Sequence, residues 1–272
     1  MADNRRFLIG LARAFGGAII FSMPMLMTME MWQLGFYMDR WRLCLFLLLN
    51  IPLLAGLSFF SGFEEVFKLR DEVVDAFVAY AVGFAASTAM LLLFAVVERG
   101  TTWNEMIGMI SLQAVPASIG AVLARSLLKG SGEDDTEKKE AEAGYGGELF
   151  LMAVGALFLA LNVAPTEEMV LIAHKMTEWH ALASAAVSLL LMHAFVYAVE
   201  FKGQAHVPSE TTFWSVFLHF TLAGYAIALL ISLYVLWTFG RLEGLSTAEV
   251  AMTTIVLGVP AAIGAAAARL IM

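Results

Sequence analysis

Cysteine is nearly missing from this chain: Cys44 is the one example in 272 residues, so no intramolecular disulfide can form. Charge is almost as scarce, at 15% of residues against 60% apolar, and mean hydropathy is +0.79, outside the range of soluble globular domains. No lysine stands in the middle of a long apolar run, which excludes a retinal Schiff base. The HExxH, GxSxG, Walker and GxGxxG patterns are also missing. Nothing therefore argues for hydrolysis or phosphoryl transfer, and we expect no enzyme. The formal charge of −8 lies mostly in loops and would repel nucleic acid.

What the chain has in abundance is apolar runs. A hydrocarbon core takes about 20 helical residues to cross, and eight runs qualify, near residues 9–34, 41–62, 73–97, 104–127, 147–169, 179–200, 211–238 and 248–271. The first follows basic residues as a secretory signal would, but no small-residue cleavage site ends it, so we expect it to be retained. Basic residues divide eleven to five between the two sides when the amino terminus is inside. That bias predicts a bacterial inner-membrane protein with both termini cytoplasmic. Trp32, Trp41, Trp103, Trp179 and Trp237 fall at the predicted outer ends, where indole rings anchor at the interface; Trp214 is the exception.

Residues 115–125 read VPASIGAVLAR and residues 259–269 read VPAAIGAAAAR, eight identities in eleven at a spacing of 144. Further upstream the spacing is 138, pairing Gly17 with Gly155, Thr28 with Thr166, Glu30 with Glu168 and Trp41 with Trp179. The chain thus reads as an all-α polytopic membrane protein of eight transmembrane helices in two parallel four-helix repeats, residues 1–128 and 147–272. An even number of spans per copy makes the copies parallel, not inverted. Between them, residues 129–146 are glycine-flanked and acidic and read as a flexible cytoplasmic linker.

The fourth and eighth helices open with Thr102 and Glu105, and with Ser246 and Glu249, each a capping box in which the glutamate serves the helix start. Pro116 with Gly120, and Pro260 with Gly264, then mark either a hinge or a close helix contact, and packing is the preferred reading.

Acids within the apolar runs are costly and are functional candidates by default. Thr28 and Glu30 in the first copy, and Thr166 and Glu168 in the second with Asn162 and Glu167 beside them, form the leading candidate. Pro24 and Pro165 break the helix ladder nearby, so freed carbonyls and carboxylates could together replace part of a cation's hydration shell. Two weaker constellations accompany it. His193 and His219 have similar predicted depth on successive helices and could share a haem iron or a proton. His174, Glu178 and His180 have spacings compatible with a metal.

The run NVAPTEEM (residues 162–169), the following WHALAS (179–184) and the eight-span layout resemble an uncharacterised family of bacterial integral membrane proteins, a domain of unknown function. The resemblance covers nearly the whole chain and implies no activity. We expect a cation channel or transporter with an acidic outer vestibule formed by the equivalent Thr and Glu positions of the two repeats. The alternatives are a haem-binding electron-transfer protein and a non-transporting scaffold. Lipid, cations and a second copy of the chain, as a homo-oligomer, are the expected partners.

Overall fold

The computed structural model describes residues 2–61, 69–127, 133–198, 214 and 217–271, and among them every regular element is helical. In chain order these are α1 (Ala2–Leu26), α2 (Met29–Tyr37), α3 (Arg40–Ser61), α4 (Leu69–Leu93), α5 (Trp103–Leu127), α6 (Glu133–Val163), α7 (Glu168–Lys175) and α8 (Glu178–Ala198). A π-helical turn, Phe217–Leu222, leads into α9 (Ala223–Thr238), and α10 (Thr247–Ile271) closes the chain.

Seven helical stretches among the described residues are long and apolar enough to cross a membrane: Leu8–Leu26, Arg40–Phe59, Glu72–Leu93, Trp103–Ala124, Tyr145–Val163, Phe217–Thr238 and Thr247–Ala268. The expected sixth span, α8, is not among them; its apolar run leads directly into residues 199–213, which lie outside the described residues. Residues 129–132 of the expected linker lie outside the described residues. From Glu133 onward the linker is not a loop but the first turns of α6. Glutamate, lysine and alanine are strong helix formers, so the helix extends beyond the apolar run.

The chain divides into two compact units, Met1–Asp135 and Thr136–Met272. In the first, α1, α2, α3 and α4 all pack on α5, the most enclosed of the seven stretches. In the second, α7, α8 and α9 pack on α10. Each central helix starts with the expected capping box. The Thr102 amide donates to Glu105 Oε2 at 2.8 Å and the Glu105 amide to Thr102 Oγ1 at 3.4 Å; Ser246 and Glu249 repeat the exchange at 2.7 and 3.4 Å. Both central helices continue through their internal prolines, Pro116 and Pro260, without a break.

Small residues decide how closely the first helix of each unit meets its central helix. A Cβ added at Gly17 would overlap the Cβ of Ala124 and the carbonyl oxygen of Gly120; one at Gly155 would overlap Ala268 and the Gly264 carbonyl. Gly120 and Gly264 are therefore packing positions, where backbone lies on backbone. The other end of the α1–α5 seam is closed by Leu26 and Met109 with Trp32 packed against them.

The break expected near Pro24 lies slightly later. α1 runs through Pro24 to Leu26 and the chain turns at Met27 and Thr28, whereas in the second unit α6 ends at Val163 and Ala164–Glu167 forms the turn. The growth of the spacing from 138 to 144 falls between the pairs Glu72–Glu210 and Glu105–Glu249, a stretch that includes residues outside the described ones. α9 reaches Thr238, seven residues beyond the counterpart of Leu93, while the loop that follows is one residue shorter than its counterpart after α4.

Neighbouring glycines of α1 provide a test. Gly17→Ala should destabilise the protein by about 1–3 kcal/mol through overpacking. Gly16→Ala, where a Cβ meets nothing within 4 Å, should be neutral or stabilising by up to about 1 kcal/mol. Thermal unfolding in detergent reads both, and equal behaviour of the pair would refute the close approach.

Candidate functional site

At the turn after the first helix of each unit, a threonine reaches back to the same relative carbonyl. The amide and hydroxyl of Thr28 donate to the Met25 carbonyl at 3.0 and 2.8 Å, and those of Thr166 to the Val163 carbonyl at 3.1 and 2.8 Å. The partners are 138 residues apart in every case. The Asn162 side chain does likewise: its Nδ2 donates to the Phe158 carbonyl at 2.7 Å, leaving Oδ1 buried without a hydrogen-bond partner. Both threonine hydroxyl hydrogens and one Nδ2 hydrogen of Asn162 thus serve the backbone, while oxygen lone pairs remain.

The carboxylates follow directly. Glu30 lies half-buried in the first turn of α2, and Glu168 is exposed at the start of α7. The Thr166 hydroxyl, the Glu168 amide and, less strongly, the charge of Arg241 hold Glu168 below the usual carboxylate range. That hydroxyl also serves the Val163 carbonyl, so its single proton is shared between two acceptors.

Arg241 is the residue that sequence reasoning missed. It was placed only among the basic residues of the outer side. Its side chain, 9% exposed, instead reaches across its own unit to donate Nη2 to the Pro165 carbonyl and Nη1 to Glu167 Oε1 at 3.1 Å. Nε is buried without a partner. The Pro165 carbonyl thus faces a guanidinium and is not left open to an ion, and Glu167, 79% exposed, has a counter-charge. In the first unit the cap is neutral and lies one position earlier: Trp32 Nε1 donates at 2.6 Å to the carbonyl of Leu26, the counterpart of Ala164. Gly240 and Gly244, both at positive φ, were the available signal that this loop folds tightly enough to turn Arg241 inward.

The expected histidine pair is not brought together. His193 Nδ1 lies 2.9 Å from Thr221 Oγ1 and edge-on to Phe217. Thr221 is fully buried, while the ring of His219, two residues earlier, is exposed and lies edge-on to Tyr145. Two residues correspond to roughly half a helical turn, so the face that meets His193 carries His219 away from it. This arrangement does not fit a haem iron held between the two rings.

The metal trio separates as well. His174 Nδ1 lies 3.5 Å from Glu249 Oε1. His180 Nδ1 stands 2.7 Å from the Thr177 hydroxyl and 3.3 Å from its amide, acting as a cap at the start of α8. Glu178 is exposed in the first turn of α8. Among the described residues no three histidine, cysteine, aspartate or glutamate side chains gather around a metal position.

Large apolar side chains face outward along these helices, Ile20, Leu48, Leu190 and Leu230 among them. Trp41, Trp103 and Trp179, 78–84% exposed, stand at helix starts. Such a surface suits lipid and interface, and with seven helices able to span, the class is that of multi-pass integral membrane proteins. The chain belongs to the DUF2391 family of integral membrane proteins, a domain of unknown function, which matches residues 10–272. No match was found among curated proteins or among solved structures.

Because the pKa of Glu168 is depressed, its contribution to stability is present above the ordinary value of 4.5 and is lost as pH falls through the folded-state value. Thr166→Val should move the Glu168 titration upward and flatten this part of the acid limb of stability. Carboxyl-carbon NMR of labelled glutamate in micelles reads the midpoint; an unchanged midpoint would remove the Thr166 contact as its cause.

Proposed function

We propose that the protein transports a cation across the membrane, with Thr28 and Glu30 in one unit and Asn162, Thr166 and Glu168 in the other forming acidic entries. The observation that carries this reading is the one-sided use of hydrogen bonds at the two turns. Both threonine hydroxyls and the Asn162 amide donate to backbone carbonyls, and the side-chain oxygens left over, the hydroxyl oxygens, the orphaned Asn162 Oδ1 and the carboxylates, are acceptors. A surplus of acceptor oxygens suits a cation and repels an anion.

Arg241 tempers the second entry by neutralising Glu167, which leaves Glu168 as its unpaired acid and makes Glu30 the stronger attractor. The basic-residue bias supports an orientation in which these entries face outward, with both termini cytoplasmic, in a bacterial inner membrane.

Liposomes containing the purified protein should show potential-driven uptake of a monovalent cation such as rubidium. Glu30→Gln should reduce it about tenfold, and Glu168→Gln about twofold to fivefold, by lowering the local cation concentration. A protein that gives no flux in either direction of potential would be a scaffold, and the proposal would fall.

A further inference from the structure

Among the described residues, two polar side chains of the first unit are buried with no hydrogen-bond partner, Ser87 on α4 and Gln113 on α5, and Gln113 leaves the more polar atoms unpaired. Gln113 is the eleventh residue of the 22-residue stretch Trp103–Ala124, at the middle of the most enclosed helix, and it is 1% exposed. Neither Oε1 nor Nε2 has a hydrogen-bond partner. A buried carboxamide with both ends unpaired is strongly unfavourable in a bilayer interior, where no bulk water can reach it, and such a group calls for an unseen polar occupant.

The second unit serves as an internal comparison. At the spacing of 144 that aligns the two central helices, Gln113 corresponds to Leu257, which is fully buried. A leucine fills that place in the second unit without polar atoms, so filling space does not require a carboxamide. Ser118, also in the first unit, corresponds to Ala262, but Ser118 has its partners: it donates to the Val115 carbonyl at 2.7 Å and accepts from Asn50 Nδ2 at 3.0 Å. Gln113 alone on this helix is wholly unpaired in the membrane interior.

Its position along the seam matters. Seven residues, two helical turns, separate Gln113 from Gly120, so both lie on the α5 face that meets α1. Toward Gly120 that seam is shut by backbone contact with Gly17. In the other direction, one turn away, Met109 packs with Leu26, immediately before the turn that carries Thr28 and Glu30. Gln113 therefore lies between the Leu26–Met109 contact, beyond which stands the first acidic entry, and the glycine closure.

We propose that Gln113 is a binding residue for a partly hydrated monovalent cation within the first unit, an inference that rests on the transport reading above. Oε1 replaces one water of the cation's shell, and Nε2 donates to the oxygen of a water that the cation retains, so both orphaned ends are satisfied by one occupant. The neutrality of the residue selects the charge class. A divalent cation is held through carboxylates, and Gln113 presents none, whereas neutral oxygens suffice for a monovalent ion.

The test uses full-length protein in detergent and in liposomes, comparing rubidium, potassium and sodium chlorides with choline chloride at equal ionic strength. Wild type should show a higher Tm in at least one alkali chloride than in choline. Gln113→Leu, and as a second variant Gln113→Met, should lose that ion-specific shift while having a higher Tm than wild type in choline, because two unpaired polar atoms are removed. Rubidium flux should fall at least tenfold in both. If the ion-specific shift survives both replacements, the assignment is overturned. If the variants are stabilised and wild type shows no ion-specific shift, the occupant is structural water only, which also overturns it. Flux and Tm separate the two proposals: an ion-specific shift that Gln113→Leu abolishes, in a protein that gives no flux, would retain this site and discard transport.

Discussion

The contact on which the rest depends is backbone against backbone between the first helix of each unit and its central helix. Lipid tails are as apolar as leucine, so burial of apolar surface gives little drive for helix association inside a bilayer, and close van der Waals approach becomes decisive. Gly17 against Gly120 and Ala124, and Gly155 against Gly264 and Ala268, supply it at aligned positions. This contact sets the register of α1 against α5. The register in turn places the turn at Met27 and Thr28 beside Met109, lets Trp32 cap the Leu26 carbonyl, and puts Gln113 between that turn and the glycine closure.

The two units solve a shared problem in different ways. Ending a helix near the membrane interface leaves carbonyls to satisfy, and each threonine takes care of one. The next carbonyl, Leu26, receives an indole N–H in the first unit, and in the second a guanidinium meets the carbonyl one place further on, Pro165. A neutral cap leaves the charge of Glu30 uncompensated by its surroundings, whereas a cationic one offsets Glu167 and draws on the field of Glu168. Near-identical backbone turns thus carry unequal electrostatics, and the asymmetry between the two turns follows from which element supplies the cap.

Much of this was legible in the residues because it is local or periodic. The capping boxes are four-residue patterns, and both form as read. The small residues four apart announced close packing, and the proline near each first helix announced a turn, two residues early in the first copy. What escaped depends on long-range placement. Arg241 acts on a carbonyl 76 residues away in sequence, and no spacing rule links a loop arginine to a proline. Gln113 sits on a helix buried on every side over residues 111–120, so its polarity had no amphipathic phase against which to stand out. The histidine pair turned on rotation: similar depth on neighbouring helices does not fix facing direction, and Phe217 and Thr221 lie on the face that meets His193. The charged stretch before the fifth span read as a linker because its composition suits both a solvated coil and an exposed helix, and helix propensity prevailed.

The wide turn Phe217–Leu222 has a consequence for the face that its helix presents to α8. A π-helical turn carries more residues per turn than an α-helix. Side chains on it are therefore spaced differently around the axis, and that spacing brings both Phe217 and Thr221 to His193 while His219 lies against Tyr145.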